Sequence, residues 1–238
     1  MNNVTMEKKV LKLDKSDWLS TKLGNLATEI SKRVDNPAAS EYDRFVSLRS
    51  FVSGDIKIKS WDSTVGLVSS AKAFESGDIL FARRNAYLRR ASMVDFDGCC
   101  SGDAFVLREN HNKVTPGFLA FLLNSDALWD YANSNAAGTM SKRVKWRDLA
   151  EYELLLPPKD QQAKLAELLW GMDEVIEKET KLLEIARIAE EVKLKDIFLS
   201  EGESITKKSE LGPINPNWRC VMLGELINEG SIISHLDG

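Results

Sequence analysis

From Asp160 to about Leu199 the chain contains no proline, and Gly171 is its only glycine. Leu165, Leu168, Leu169, Met172, Val175, Ile176, Leu182, Leu183, Ala186, Ala189 and Val192 recur every three or four residues, with Glu179 and Lys193 interrupting an otherwise heptad-like stripe. That spacing predicts one long amphipathic helix. Forty residues of helix span about 60 Å. A small globule cannot cover a stripe of that length, so the stripe requires a second long helix beside it, or else a break near Gly171 that folds the segment back on itself.

The segments before this helix have a different character. Residues 44–52 (RFVSLRSFV) alternate and are rich in β-formers; residues 78–81, after a turn at Ser76–Gly77, and residues 104–107 read as further strands. Thr115 and Pro116 form a helix start, with Thr as N-cap and Pro at the first helical position. Beyond them Phe118, Phe121, Leu122, Leu128 and Trp129 share one helical face. Residues 153–156 read as a closing strand stopped by Pro157 and Pro158. This mixture predicts an α+β globule over residues 1–158, followed by a coiled-coil-type helix over 159–199. Residues 200–217 are polar and rich in Ser, Gly and Pro, the composition of a linker.

Residues 18–26 (WLSTKLGNL) and 218–226 (WRCVMLGEL) both fit W-x-x-x-x-L-G-x-L, and Glu29 is matched by Glu229. The second copy follows the linker, where a new domain would begin. The repeat therefore predicts a duplicated architecture of which residues 218–238 start the second, incomplete half.

Composition excludes several classes. Cys99, Cys100 and Cys220 are odd in number and two are adjacent, which suits neither a disulfide framework nor zinc spacing. They read as small buried hydrophobes in a reducing compartment. The N-terminus lacks the apolar run of a secretory signal, and no stretch is long enough to span a bilayer, so a cytoplasmic protein without membrane contact is expected. Catalytic chemistry is sparse. There is no glycine-rich phosphate loop and no G-x-S-x-G elbow, and the two histidines, His111 and His235, are far apart. Pro157–Pro158 lacks the flanking Asn or Asp and aromatic residue of an adenine methyltransferase motif. A non-catalytic chain is expected.

The net charge of −4 is unevenly spread: residues 1–158 carry +2 and residues 159–238 carry −6. Nucleic-acid contact is therefore expected in the first part and protein contact in the second. Two segments look suited to DNA. Residues 77–90 (GDILFARRNAYLRR) place Arg83, Arg84, Arg89 and Arg90 within eight residues, with Asn85 and Tyr87 between them. Arginine forks grip phosphates or guanine edges, asparagine reads adenine, and tyrosine donates to phosphate or stacks. Residues 138–146 (GTMSKRVKW) offer the hydroxyl of Ser141 and the cations Lys142, Arg143 and Lys145 beside a glycine, a loop suited to holding phosphates. The competing reading pairs single arginines with Asp78, Asp95, Asp97 or Asp103. Trp146 reads as core.

Residues 77–90, the following CCSGDAFVLR at 99–108, and GTMSKRVKWRDLAEYELLLPPKDQQ at 138–162 resemble the target recognition domain of type I restriction-modification specificity subunits. The opening W-x-x-x-x-L-G-x-L and its recurrence at Trp218 resemble the starts of that family's two domains. The resemblance covers nearly the whole chain in order. It implies two recognition domains separated by two antiparallel long helices, each domain reading one half of a bipartite double-stranded DNA target. It also implies a modification subunit that methylates a flipped adenine and a restriction subunit that translocates and cleaves. S-adenosylmethionine, ATP and Mg belong to those partners, and no cofactor is expected on this chain. One complete recognition domain, one helix and the start of another domain are what the resemblance finds here. A homodimer through the long helix is one consequence; a truncated regulatory decoy that occupies the modification subunit without reading DNA is the alternative.

Overall fold

The computed structural model describes residues 13–199 together with 207–209 and 212–214, with side chains to residue 193. Two compact units divide between Asp173 and Glu174.

The first unit is built on a four-stranded antiparallel sheet in the order β2 (Ala27–Ile30), β10 (Ala104–Glu109), β7 (Ile79–Ala82), β8 (Ala91–Met93). Strand β7 is buried at all four positions. Successive side chains point to opposite faces of a strand, so both faces of this sheet are covered. Ile79, Phe81, Phe105 and Leu107 join one core, while Leu80, Ala104 and Val106 join the other.

The first core is closed by helices α1 (Phe118–Leu123) and α2 (Asp126–Ser134). Trp129 of α2 stacks on Phe81 with ring centroids 4.6 Å apart. The second core lies against a five-stranded sheet in the order β3 (Arg33–Val34), β6 (Ala71–Phe74), β9 (Gly98–Cys100), β4 (Arg44–Val46), β5 (Asp62–Ser63). Only the β4–β9 pairing is parallel. Cys99 and Cys100 are fully buried there, and burial raises their thiols to about 11 and about 12. The result is a helix–sheet–sheet globule of the α+β class.

A two-stranded ribbon closes the unit. Strand β1 (Leu19–Lys22) pairs antiparallel with β11 (Glu153–Leu156), from Leu19 opposite Leu156 to Lys22 opposite Glu153. After the short helix α3 (Trp146–Leu149) and this ribbon begins α4 (Lys159–Leu199), one uninterrupted helix of 41 residues. It runs straight through Gly171, which removes the folded-back arrangement.

The first turns of α4 belong to the globule, so the first unit extends past residue 158. Gln162 is 1 % exposed. Its amide nitrogen donates to the carbonyls of Pro157 (2.8 Å) and Lys113 (3.2 Å), and its oxygen accepts from the Thr115 N–H (2.8 Å). Gln161 accepts from the Trp18 indole at 3.0 Å. In the second unit, Val175, Ile176, Leu182, Leu183, Ile185, Ile188 and Val192 of α4 are each more than half exposed. The stretch 200–217, read as linker, contains the antiparallel pair β12 (Lys207–Ser209) and β13 (Gly212–Ile214). The second W-x-x-x-x-L-G-x-L copy and Cys220 lie outside the described residues.

Two local expectations are corrected. The strand read over 44–52 ends at Val46, because the chain turns at once, with the Ser50 N–H donating to the Ser47 carbonyl. Thr115 and Pro116 do not start a helix. Helix α1 begins two residues later behind Gly117, and the nearly buried Glu109 carboxylate caps it by accepting the N–H groups of Gly117 (2.9 Å) and Leu119 (3.0 Å).

Candidate nucleic-acid interface

The two segments singled out from the sequence, some 55 residues apart, are joined in the fold by main-chain hydrogen bonds. Asn85 N–H donates to the Lys142 carbonyl and Val144 N–H to the Arg83 carbonyl, each at 2.9 Å. Arg84 and Arg143 form a bridge pair, and Arg143 pairs again with Ala137. The turn that carries the first segment is tight. Asn85 (φ 55°) and Arg89 (φ 49°) both adopt the left-handed region around a 3-10 turn at residues 86–88. Asparagine tolerates that conformation; arginine does so at a cost of order 1 kcal/mol. Tight, left-handed geometry of this kind concentrates at binding sites, because surrounding contacts have to enforce it.

The arginines have different roles. Arg143 forms a two-pronged pair with Asp103, Nε to Oδ1 at 2.8 Å and Nη2 to Oδ2 at 3.2 Å. Arg84 donates its Nε to the Ser141 hydroxyl at 2.6 Å, and its Nη1 lies 3.7 Å from the same Asp103 carboxylate. The Arg143 hydrogen bonds hold the Asp103 carboxyl below its ordinary value, against the opposing effect of burial. Arg89 reaches Asp126 and, at 3.7 Å, Asp130 on α2. Arg90 braces the fold, donating to the carbonyls of Leu48 (2.9 Å) and Arg84 (3.2 Å), and burial lowers its guanidinium below the ordinary value. The Arg83 guanidinium lies 5.3 Å above the Phe105 ring, with its Nε buried and without a hydrogen-bond partner. Lys142, Lys145 and Tyr87 are exposed, Tyr87 at 66 %. Ser141 is spent on Arg84. Trp146 is half-buried, edge-on to Phe105 at 6.1 Å.

The ten candidate residues thus lie on two loops held side by side, with Lys142, Lys145 and Tyr87 exposed and the side chains of Arg84, Arg89, Arg90 and Arg143, but not Arg83, tied to acids, a hydroxyl or backbone. Chemically, this is a ridge of exposed cations and one aromatic alongside part-exposed arginines, suited to phosphate contact. The pairing of an arginine with Asp103 is among those the sequence offers, and Arg84 takes it; the sequence gives no sign that Arg143 shares that acid or that Asp126 holds Arg89. Their pairing crosses long sequence separations and leaves no local signal. Asp78, also weighed there, instead pairs with Arg108 (2.8 and 2.9 Å). Among the described residues, no group of three or more His, Cys, Asp or Glu is placed to hold a metal ion. No helix among them is long and apolar enough to cross a membrane.

This sheet-built α+β globule feeds a single long helix and carries two basic loops bonded to each other through their main chains. The family described as the type I restriction modification DNA specificity domain matches residues 16–187, and the chain belongs to that family. The chain is 28% identical over 181 residues to the type I restriction enzyme HindI specificity subunit of Haemophilus influenzae, covering 70% of this chain and 38% of that protein. To the EcoDI specificity subunit of Escherichia coli it is 24% identical over 158 residues, covering 65% and 32%. The crystal structure of the HsdS subunit from Thermoanaerobacter tengcongensis superimposes with a TM-score of 0.58 at 27% identity, covering 88% of this chain and 54% of that one. The chain therefore spans about a third of the length of these curated relatives and about half of the solved structure.

Proposed function

We propose that this chain is a non-catalytic DNA-specificity component of a type I restriction-modification enzyme, that its globule reads one half of a bipartite target, and that it docks the modification subunit. The observation that carries the reading is the union of the loops at 83–90 and 138–145 into one ridge, in a chain of this family. Phosphate contacts from Lys142 and Lys145 would fix register, while Asn85, Tyr87 and the part-exposed arginines would supply contacts to base edges. The exposed stripe on α4, from Val175 to Val192, has the spacing to pair with another long helix. A second copy of this chain supplies such a helix and gives a two-fold symmetric target. S-adenosylmethionine, ATP and Mg belong to the modification and restriction subunits, and the complex works in the cytoplasm.

The test is to co-purify the chain with a modification subunit, expose the complex to random duplexes with S-adenosylmethionine, and sequence the methylated sites. Methylation at a defined palindromic bipartite site is expected. A complex that forms but methylates without sequence preference would replace this reading with that of a decoy occupying the modification subunit.

A further inference from the structure

Among the described residues, Asp103 is the one acid that meets both loops of the ridge. It leads into strand β10 and belongs to neither loop. Its carboxylate holds Arg143 with two hydrogen bonds and lies 3.7 Å from Arg84, and its carbonyl accepts the Arg83 N–H at 3.0 Å. The side chains are part-exposed: 24 % for Asp103, 42 % for Arg143 and 43 % for Arg84. A pair that keeps this much contact with solvent can exchange one partner for another, and a phosphate offers an arginine the same two-oxygen geometry as a carboxylate. Phosphate attraction is indifferent to sequence and supplies most non-specific affinity.

From this competition we infer that Asp103 is a specificity-determining positioning residue: it withholds the Arg84 and Arg143 guanidiniums from sequence-indifferent phosphate contact and releases them only where a matched target supplies the rest of the interface. The inference rests on the DNA-reading function proposed above. It assigns Asp103 no contact with DNA, and it gives the acid a cost that is deliberate. Every duplex must displace a carboxylate before it gains these two cations, and only a duplex that fits recovers the difference elsewhere.

A purely structural role and this one predict opposite signs. Loss of a structural brace weakens binding to all DNA. Loss of the competitor strengthens binding to unrelated DNA, because two cations become available. Asp103→Asn keeps an acceptor for Arg143 but removes the charge, and Asp103→Glu keeps the charge. Binding of the assembled complex to its selected duplex and to an unrelated duplex is measured between 50 and 300 mM salt, with thermal melting as a check on folding. For Asp103→Asn, several-fold tighter binding to unrelated DNA is expected, with the logarithmic salt dependence steeper by about one to two. The selected-to-unrelated ratio should fall several-fold, and Asp103→Glu should restore the ratio and the slope. Adding Arg84→Ala and Arg143→Ala to Asp103→Asn should abolish the gain. Unchanged or uniformly weaker binding by Asp103→Asn, or failure of Asp103→Glu to restore the ratio, overturns the inference while leaving the DNA-reading function intact. If the unsubstituted complex shows no preference for any duplex, that function falls and the inference with it.

Discussion

At the residue scale, the fold depends on a few acids whose roles differ from their apparent ones. Asp78 is 2 % exposed. It accepts two hydrogen bonds from Arg108 and one from the Glu75 N–H at 2.8 Å, so it closes the turn before β7 and ties β7 to β10. Arg108 is less buried and has a second partner in Glu75 at 2.9 Å. The two substitutions should therefore be unequal. Arg108→Met leaves a buried carboxylate without its cation and should cost about 3 kcal/mol. Asp78→Asn keeps an acceptor for the turn and leaves an arginine that still reaches Glu75 and solvent, at a cost of about 1–2 kcal/mol. Urea denaturation of the two variants checks the order; equal losses would contradict the asymmetry. None of this was legible in the sequence. Asp78 stands in the arginine-rich segment and reads there as a partner for that segment's arginines, while its actual partner, Arg108, lies on β10.

At the element scale, legibility followed the range of the interactions that define each element. The long helix α4 was readable because proline is absent and the apolar spacing is local. The strands at 79–82, 104–109 and 153–156 were readable for the same reason. The single helical face read across residues 118–129 is two helices, and the punctuation was present: Ser125 is the N-cap of α2, with Asp126 in its first turn. The start of α1 was not readable, because its cap is supplied by Glu109 from β10 and not by Thr115. Gly117 makes that junction possible. Its φ is +77°, and a Cβ there would stand 2.7 Å from the Trp170 indole nitrogen on α4. Gly117→Ala should destabilise the protein by about 2–3 kcal/mol through backbone strain and this clash together. In a Trp170→Ala background the clash disappears and the cost should drop to about 1 kcal/mol, measured as a double-mutant cycle of melting or denaturant midpoints. Additive costs would show that the indole is not the obstacle.

For the whole molecule, charge and topology determine what can be measured. With a net charge of −4 the protein is not drawn to DNA as a body, so the proposed DNA reading requires a local basic surface. Lys142→Ala with Lys145→Ala should weaken binding of the assembled complex to every duplex alike and flatten the logarithmic salt dependence by about two, leaving the preferred sequence unchanged. A change in sequence preference would instead make these lysines base readers. The sequence named both loops and most of the ridge. It did not reveal their union, because that union is a set of main-chain bonds between residues 83–85 and 142–144 that neither segment announces.

The β1–β11 ribbon carries a consequence for synthesis. Among the described residues, the first strand of the globule finds its only sheet partner at residues 153–156, the last strand before α4. At ordinary translation rates the two are made on the order of ten seconds apart. For that interval β1 is an unpaired edge on a nascent chain, and the globule cannot close until most of its sequence has left the ribosome. Its vulnerability to misassembly therefore lasts until this ribbon and the first turns of the long helix have emerged.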